Sequence, residues 1–182
     1  MSTFEENFKK EKLQKLKENL GLKNIYATPS ISKIVINMGV RDALLDKKNM
    51  EKGSVTLSRI AGQKAKVMKA KKAISTFKLR QGDEIALVAT LRRKRMYDFF
   101  EKLTKIVLPR IRDFRGVSRN SFDGKGNYTL GFPESTVFPE IDPATVDHVQ
   151  GLELTIVTTA KNDKEGLALL EILGMPFQKV KI

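Results

Sequence analysis

Leu152–Ala160 reads LELTIVTTA, a run of apolar and β-branched residues that predicts a central strand. Two residues later Asn162 stands three positions before Glu165, a capping-box spacing that opens a final helix, which Gly174 and Pro176 end. Working back along the chain, Glu84–Arg92 (EIALVATLR) alternates as a strand, and Ser32–Asn37 (SKIVIN) is β-branched and reads the same way. Ala65–Ala70 and Tyr128–Phe132 are shorter strand candidates. Asp46–Ala61 is helical in pattern and stopped by Gly62. Met96–Leu108 is a helix ended by Pro109, with Tyr97, Phe100, Leu103 and Val107 at helical spacing. Thr3–Asn19 predicts an exposed amphipathic helix with Gly21 as its stop, and Asp113–Asn127 a loop with little regular structure. The resulting order is helix, then strand–helix–strand–strand–helix–strand–strand–helix. It predicts an α+β fold: a mostly antiparallel sheet, helices on one face, the other face open. One domain is expected over residues 1–182, with the N-terminal helix in 1–21 and a long loop excursion at about 110–150.

The 182 residues are 41% hydrophobic, enough for an ordinary core. Cysteine is absent, which excludes disulfides, thiolate metal cages and thiol nucleophiles. No apolar run approaches the ~20 residues that span a bilayer. The first residues are too charged for a secretory signal, so the expected location is the cytosol. Charge is the informative quantity. The net charge is +13, and residues 59–95, with 12 basic and 2 acidic side chains, hold +10 of it. A merely solubilising surface intersperses its signs, so the clustering points to a polyanionic partner, with no membrane involved.

The residues offer no bond chemistry. The single histidine, His148, sits beside Asp147 in a polar region. Gly124-Lys125-Gly126-Asn127 lacks the setting of a phosphate-binding loop and reads as a tight turn. Asp98, Asp113 and Asp123 have no metal-ligand spacing, so no metal or other cofactor is expected.

The cation clusters carry the better case. From Gln63 to Lys72 a cation falls at every second or third place: Lys64, Lys66, Lys69, Lys71 and Lys72. In an extended segment Lys64 and Lys66 share one face, an arrangement suited to phosphates along a backbone. Phe77 lies among cations in the loop Phe77-Lys78-Leu79-Arg80-Gln81-Gly82, and reads equally as core or as a ring stacking on a base. Arg92-Arg93-Lys94-Arg95 is expected to end a strand and enlarge the same electropositive surface. Asn37-Met38-Gly39 closes the first strand, where an amide and a bare backbone permit close approach to RNA. By contrast, Gly126–Ala160 contains no Lys or Arg and five acids: Glu134, Glu140, Asp142, Asp147 and Glu153.

At these residues the chain resembles a known family. Lys33–Val40 (KIVINMGV), Lys69–Lys72 (KAKK), Phe77–Arg80 (FKLR), Thr90–Arg92 (TLR), Arg95–Tyr97 (RMY), Leu108–Gly116 (LPRIRDFRG), Ser121–Gly131 (SFDGKGNYTLG), Phe138–Ile141 (FPEI), Thr155–Lys161 (TIVTTAK) and Leu173–Phe177 (LGMPF) are ten ordered blocks. They are similar to the bacterial ribosomal protein L five (L5) family over almost the whole length. The resemblance implies a non-catalytic part of the large ribosomal subunit that binds 5S rRNA in the central protuberance. It also implies contact with large-subunit rRNA and neighbouring 5S-binding proteins, with P-site tRNA through a basic loop, and with the small-subunit head protein S thirteen.

By motif position, 5S rRNA contact would fall to Asn37, Met38, Gly39, Gln63, Phe77 and Thr90, with Lys64, Lys66, Lys69, Lys71, Lys72, Arg92 and Arg93. The tRNA-facing loop would be Ser75, Thr76, Phe77, Lys78, Leu79, Arg80, Gln81 and Gly82. The intersubunit contact would use Glu134, Glu140, Asp142 and Asp147. Arg41, Thr76 and Arg93 stand where the family pattern has Gly, and Asp83-Glu84 replaces a more neutral pair. The rival is a free-standing RNA-binding or RNA-chaperone protein. Such sheets usually display two or three strand aromatics, and this chain offers mainly Phe77.

Overall fold

The computed structural model describes residues 13–40, 43, 46–143 and 150–178. Within them lie strands β1 (Ile31–Gly39), β2 (Lys66–Lys69), β3 (Glu84–Leu91), β4 (Tyr128–Phe132) and β5 (Leu152–Thr158). The helices are α1 (Leu13–Asn19), α2 (Lys47–Ala61), α3 (Arg93–Lys102) and α4 (Asp163–Leu173). The strands form one five-stranded antiparallel sheet in the order β2-β3-β1-β5-β4, and the fold is α+β as expected. Residues 3–12 of the expected N-terminal helix, Arg41, Asp147 and His148 lie outside the described residues.

Strand alternation gives the sheet two unlike faces. In β1, Ile34, Ile36 and Met38 are buried while Val35 and Asn37 are half-buried and Gly39 is exposed. In β3, Leu87, Ala89 and Leu91 are buried while Ala86, Val88 and Thr90 are not. β5 repeats the pattern, with Leu152, Leu154 and Ile156 against Glu153, Thr155 and Val157. A period of two sends successive side chains to opposite faces, so each of these three strands gives one row to the core and one to the outside.

Contacts group the chain into two compact units, neither contiguous in sequence. One comprises Met1–Ile34, Leu91–Leu130 and Thr155–Ile182, the other Val35–Thr90 and Gly131–Leu154.

In the second unit α2 buries Met50, Gly53, Leu57 and Ile60, and Gly53 faces Met38 of β1 and Leu87 of β3. A Cβ placed on Gly53 would lie 3.0 Å from Leu87 Cδ1 and 3.2 Å from Val40 Cγ2, so the missing side chain sets how closely the helix approaches. Asp46 caps α2 by accepting from Lys48 N at 2.9 Å, and Gly62 ends it at φ +63°.

In the first unit Tyr97, Phe100, Leu103 and Val107 are all buried, the face their spacing predicts. The helix itself departs from expectation. It starts at Arg93 rather than Met96, and it does not stop at Pro109. A wide π-turn, Leu103–Val107, leads into a last turn Leu108–Arg110 that contains the proline. A proline ring clashes with the carbonyl four residues back in a regular helix; the wide turn relaxes that spacing. α4 opens as expected: Asn162 Oδ1 accepts from Glu165 N and the Glu165 carboxylate accepts from Lys161 N, each at 2.9 Å. α1 packs against α4 through the fully buried Leu16.

Candidate RNA interface

The outer row of β1, β2 and β3 in the second unit holds Asn37, Gly39, Lys66 and Thr90 of the expected contact residues, and Gln63, Lys64, Lys71, Lys72 and Phe77 lie in loops of the same unit. Cross-strand partners share a face, so the pairs Lys66↔Val88 and Met68↔Ala86 place Lys66 and Met68 on the same outer row as Val88 and Ala86. Asn37 lies on the outer row of β1, half-buried, and among the described residues its amide has no hydrogen-bond partner in the fold. Beside it Gly39 is exposed, and a Cβ there would meet nothing within 4 Å. Gln63 follows α2, and its Nε2 donates to the carbonyl of Thr90 at 3.1 Å, drawing these two expected contacts together. Lys64, Lys66, Lys69, Lys71 and Lys72 are all exposed.

One expectation is corrected here, that for Met38. Met38 is fully buried on the inner row, its Sδ 3.9 Å from a Cβ placed on Gly53, so its side chain is core and not a contact surface. The alternation that presents Asn37 and Gly39 necessarily turns Met38 inward. Lys69 is not a free cation, because its Nζ lies 3.9 Å from Glu84 Oε1. A register shift between Met68 and Lys69 skips Ile85 and brings Lys69 opposite Glu84. Both side chains are largely exposed, so the pair is weak, worth at most about 1 kcal/mol.

Residues 70–83 form the expected basic loop. Its base is closed by backbone bonds, Ala70 N to Asp83 O at 2.8 Å and Gly82 N to Ala70 O at 3.0 Å. Ile74 and Leu79 exchange two further bonds, and Ser75–Phe77 makes a single 3-10 turn that Lys78 closes at φ +53°. Residues 71–78 are exposed without interruption, and Phe77 is 70% exposed. The ring is therefore not core. The sequence reading missed Ile74, 43% exposed beside it, and the role of Asp83. Asp83 Oδ2 accepts from Arg80 N at 2.7 Å and so fixes the loop's return limb. The acid that departs from the family pattern is an anchor. Its signal was an Asp three residues after Arg80, a spacing at which short acidic side chains bond preceding backbone.

Arg92 and Arg93 belong to the first unit. β3 stops at Leu91, and Arg93, Lys94 and Arg95 form the first turn of α3 rather than the end of a strand, all exposed. Arg93 has φ +54°, a left-handed conformation that explains why the family pattern has Gly there. Thr76, the other described departure from Gly, lies inside the 3-10 turn and needs no such freedom.

The loop 111–127, also in the first unit, contains no helix or strand yet is tied by its own side chains. Asp123 Oδ1 accepts from Lys125 N and Asn127 N, and its Oδ2 from Asn127 Nδ2 at 2.7 Å. The Asn127 amide and the Lys125 N–H hold the Asp123 carboxyl below its ordinary value. Tyr128 donates its hydroxyl to Ser118 O at 2.5 Å, and burial pushes its pKa up to about 12. Arg119 donates to Glu171 and to Gln178 O. The expected tight turn is present, with Gly124 and Gly126 both at positive φ.

Of the acids, Glu134, Glu140 and Asp142 are exposed in the second unit, and Asp147 lies outside the described residues. Among the described residues no three His, Asp or Glu side chains gather as a metal site, and no helix is long and apolar enough to cross a membrane.

Comparison with known proteins places the sequence among its relatives. The family description "Ribosomal protein L5" matches residues 24–80, and the description of the same ribosomal family's C-terminus matches residues 84–177. The large ribosomal subunit protein uL5 of Desulfatibacillum aliphaticivorans is 52% identical over 179 residues, covering 98% of this chain and 100% of that protein. Its counterpart in Caldanaerobacter subterraneus subsp. tengcongensis is likewise 52% identical over the same span. That of Syntrophotalea carbinolica is 53% identical over 164 residues, 90% of this chain and 89% of its own. With both family segments present in order and half of all positions identical end to end, the chain belongs to the ribosomal protein L5 family.

Proposed function

We propose that this chain, a structural and non-enzymatic component of the large ribosomal subunit, binds 5S rRNA through the outer row of β1–β3. The observation that carries the reading is the composition of that row. The Asn37 amide, without a hydrogen-bond partner among the described residues, the bare backbone of Gly39 and the Gln63–Thr90 pair sit on one unit with exposed Lys64, Lys66, Lys71 and Lys72. Neutral donors and acceptors read 2′-hydroxyls and base edges, while the cations engage phosphates. The loop 70–83 is the tRNA-facing element in this reading, with exposed Phe77 as a stacking ring and Lys78 and Arg80 as phosphate contacts. If roughly five phosphates are neutralised, log K for 5S rRNA falls with log salt at a slope of about −4. A flat salt titration contradicts the reading.

The acidic segment is assigned to a protein contact in the small-subunit head, because a basic partner is steered by opposite potential whereas RNA is repelled. Replacing Glu140, Asp142 and Asp147 together with Lys weakens subunit association and leaves 5S binding intact. A folded triple variant that loses 5S binding instead shows that the acidic and basic surfaces have been assigned the wrong way round.

A further inference from the structure

We propose that the Ser75–Thr76 hydroxyl pair is a phosphorylation site for a protein kinase that selects basic peptides, and that phosphate there releases the loop from RNA. The second half rests on the reading of the loop as an RNA contact.

Three observations converge on it. Residues 71–78 are exposed without a break, the kind of segment a kinase cleft must enclose on both sides of its acceptor. Neither hydroxyl has a hydrogen-bond partner among the described residues. Thr56, Thr104 and Thr158 instead donate their hydroxyls to backbone carbonyls, and Ser58 accepts from Ala65 N. Lys72 and Lys71 stand three and four places before Ser75, with Lys78 and Arg80 after it, complementary to an acidic substrate groove.

Among the described residues, only Phe77 N to Ile74 O, Lys78 N to Ser75 O and the Ile74–Leu79 pair hold the tip, all at the surface. Such local bonds open at little cost. The tip can then extend into a cleft while the Ala70–Asp83 base stays closed.

In the reaction the Ser75 or Thr76 hydroxyl oxygen attacks the γ-phosphorus of a nucleoside triphosphate. A new O–P bond forms, the bond from the γ-phosphorus to the bridging oxygen breaks, and the nucleoside diphosphate leaves with that electron pair. The hydroxyl proton passes to the kinase's general base. The phosphate adds about −2 charge at neutral pH, beside Lys72 and Lys78, and competes with RNA phosphates for them. Losing about two phosphate contacts makes the salt slope shallower by about two, and weakens RNA binding at least about tenfold near 0.1 M salt.

The test incubates the full chain with ATP and a basophilic serine/threonine kinase, locates phosphate by mass spectrometry, and measures RNA affinity before and after. The expected result is close to one phosphate on the peptide spanning Ser75–Thr76, abolished in the S75A/T76A double variant, with RNA binding weakened at least about tenfold. Absence of phosphate from that peptide, or unchanged incorporation in the folded double variant, overturns the site. A K78A/R80A variant separates the two claims. If it weakens RNA binding and phosphate does not, the switch fails and the loop reading stands; if neither does, the loop reading fails as well.

Discussion

Two loops of this chain, 70–83 and 111–127, are both built of Gly, polar and charged residues, and they do opposite things with their side chains. In 111–127 they turn back onto the chain: Asp123, Asn127 and Arg119 hold protein partners, and Ser118 O accepts the hydroxyl of Tyr128 from β4. In 70–83 the backbone and Asp83 close the loop, and Lys71 through Lys78 point to solvent. The first loop uses its polar groups to define a conformation, the second keeps them for something outside the chain. Composition alone does not separate the two cases; what separates them is whether a group's hydrogen-bond capacity is met within the fold.

The sharpest way to break this comparison is to damage the inward-turned loop. A Cβ on Gly166 would lie 2.6 Å from Gly126 O and 2.9 Å from its Cα, backbone that cannot swing aside. Gly166→Ala should therefore destabilise the protein by about 3 kcal/mol, read as a lower urea midpoint at unchanged slope. A loss below about 1 kcal/mol would show that the loop yields easily.

Tyr128→Phe should cost about 1.5 kcal/mol by leaving Ser118 O without its donor. The Tyr128 pKa is raised from 10.0 to about 12, so the native state resists ionisation. The stabilising contribution is complete below pH 10 and is lost as pH rises through 12. The wild type should lose stability over that range more steeply than Tyr128→Phe; parallel curves would remove Tyr128 from the account.

Phe77→Ala, in the outward-turned loop, should change stability by less than about 0.5 kcal/mol while costing about 1–3 kcal/mol of RNA affinity. Lost stability with intact binding would place the ring in the core after all.

The sheet was legible because period-two alternation in Glu84–Arg92 and the β-branched run of Ser32–Asn37 depend only on local residues. The stop at Gly62 and the cap at Asn162 were legible for the same reason, whereas Asp46 was read as part of the helix it caps. Less so was α3, where Pro109 read as a stop. Only the neighbouring turns reveal that a π-turn makes room for it, and a tertiary arrangement of that kind leaves no single-residue signature. On the candidate site residue types were readable, but neither the full loop, which runs from 70 to 83 rather than 75 to 82, nor which row each strand residue faces. A block such as Asn37-Met38-Gly39 looks uniform as a string; the pleat splits it into outer row, core and outer row. Asp83 was read as a charge because its partner, Arg80 N, is a backbone atom that composition does not show.

The outer row's claim to recognise RNA, beyond merely attracting it, rests most directly on Asn37, whose amide has no hydrogen-bond partner among the described residues. The decisive measurement is the affinity of Asn37→Ala for 5S rRNA and for an unrelated RNA of similar length, at matched salt. Loss of a hydrogen bond to a base edge or 2′-hydroxyl should weaken cognate binding about tenfold, or about 1.4 kcal/mol, and the unrelated RNA by less than about twofold. Equal losses on both RNAs in a variant of unchanged stability would contradict the account, leaving the row an electrostatic platform without readout.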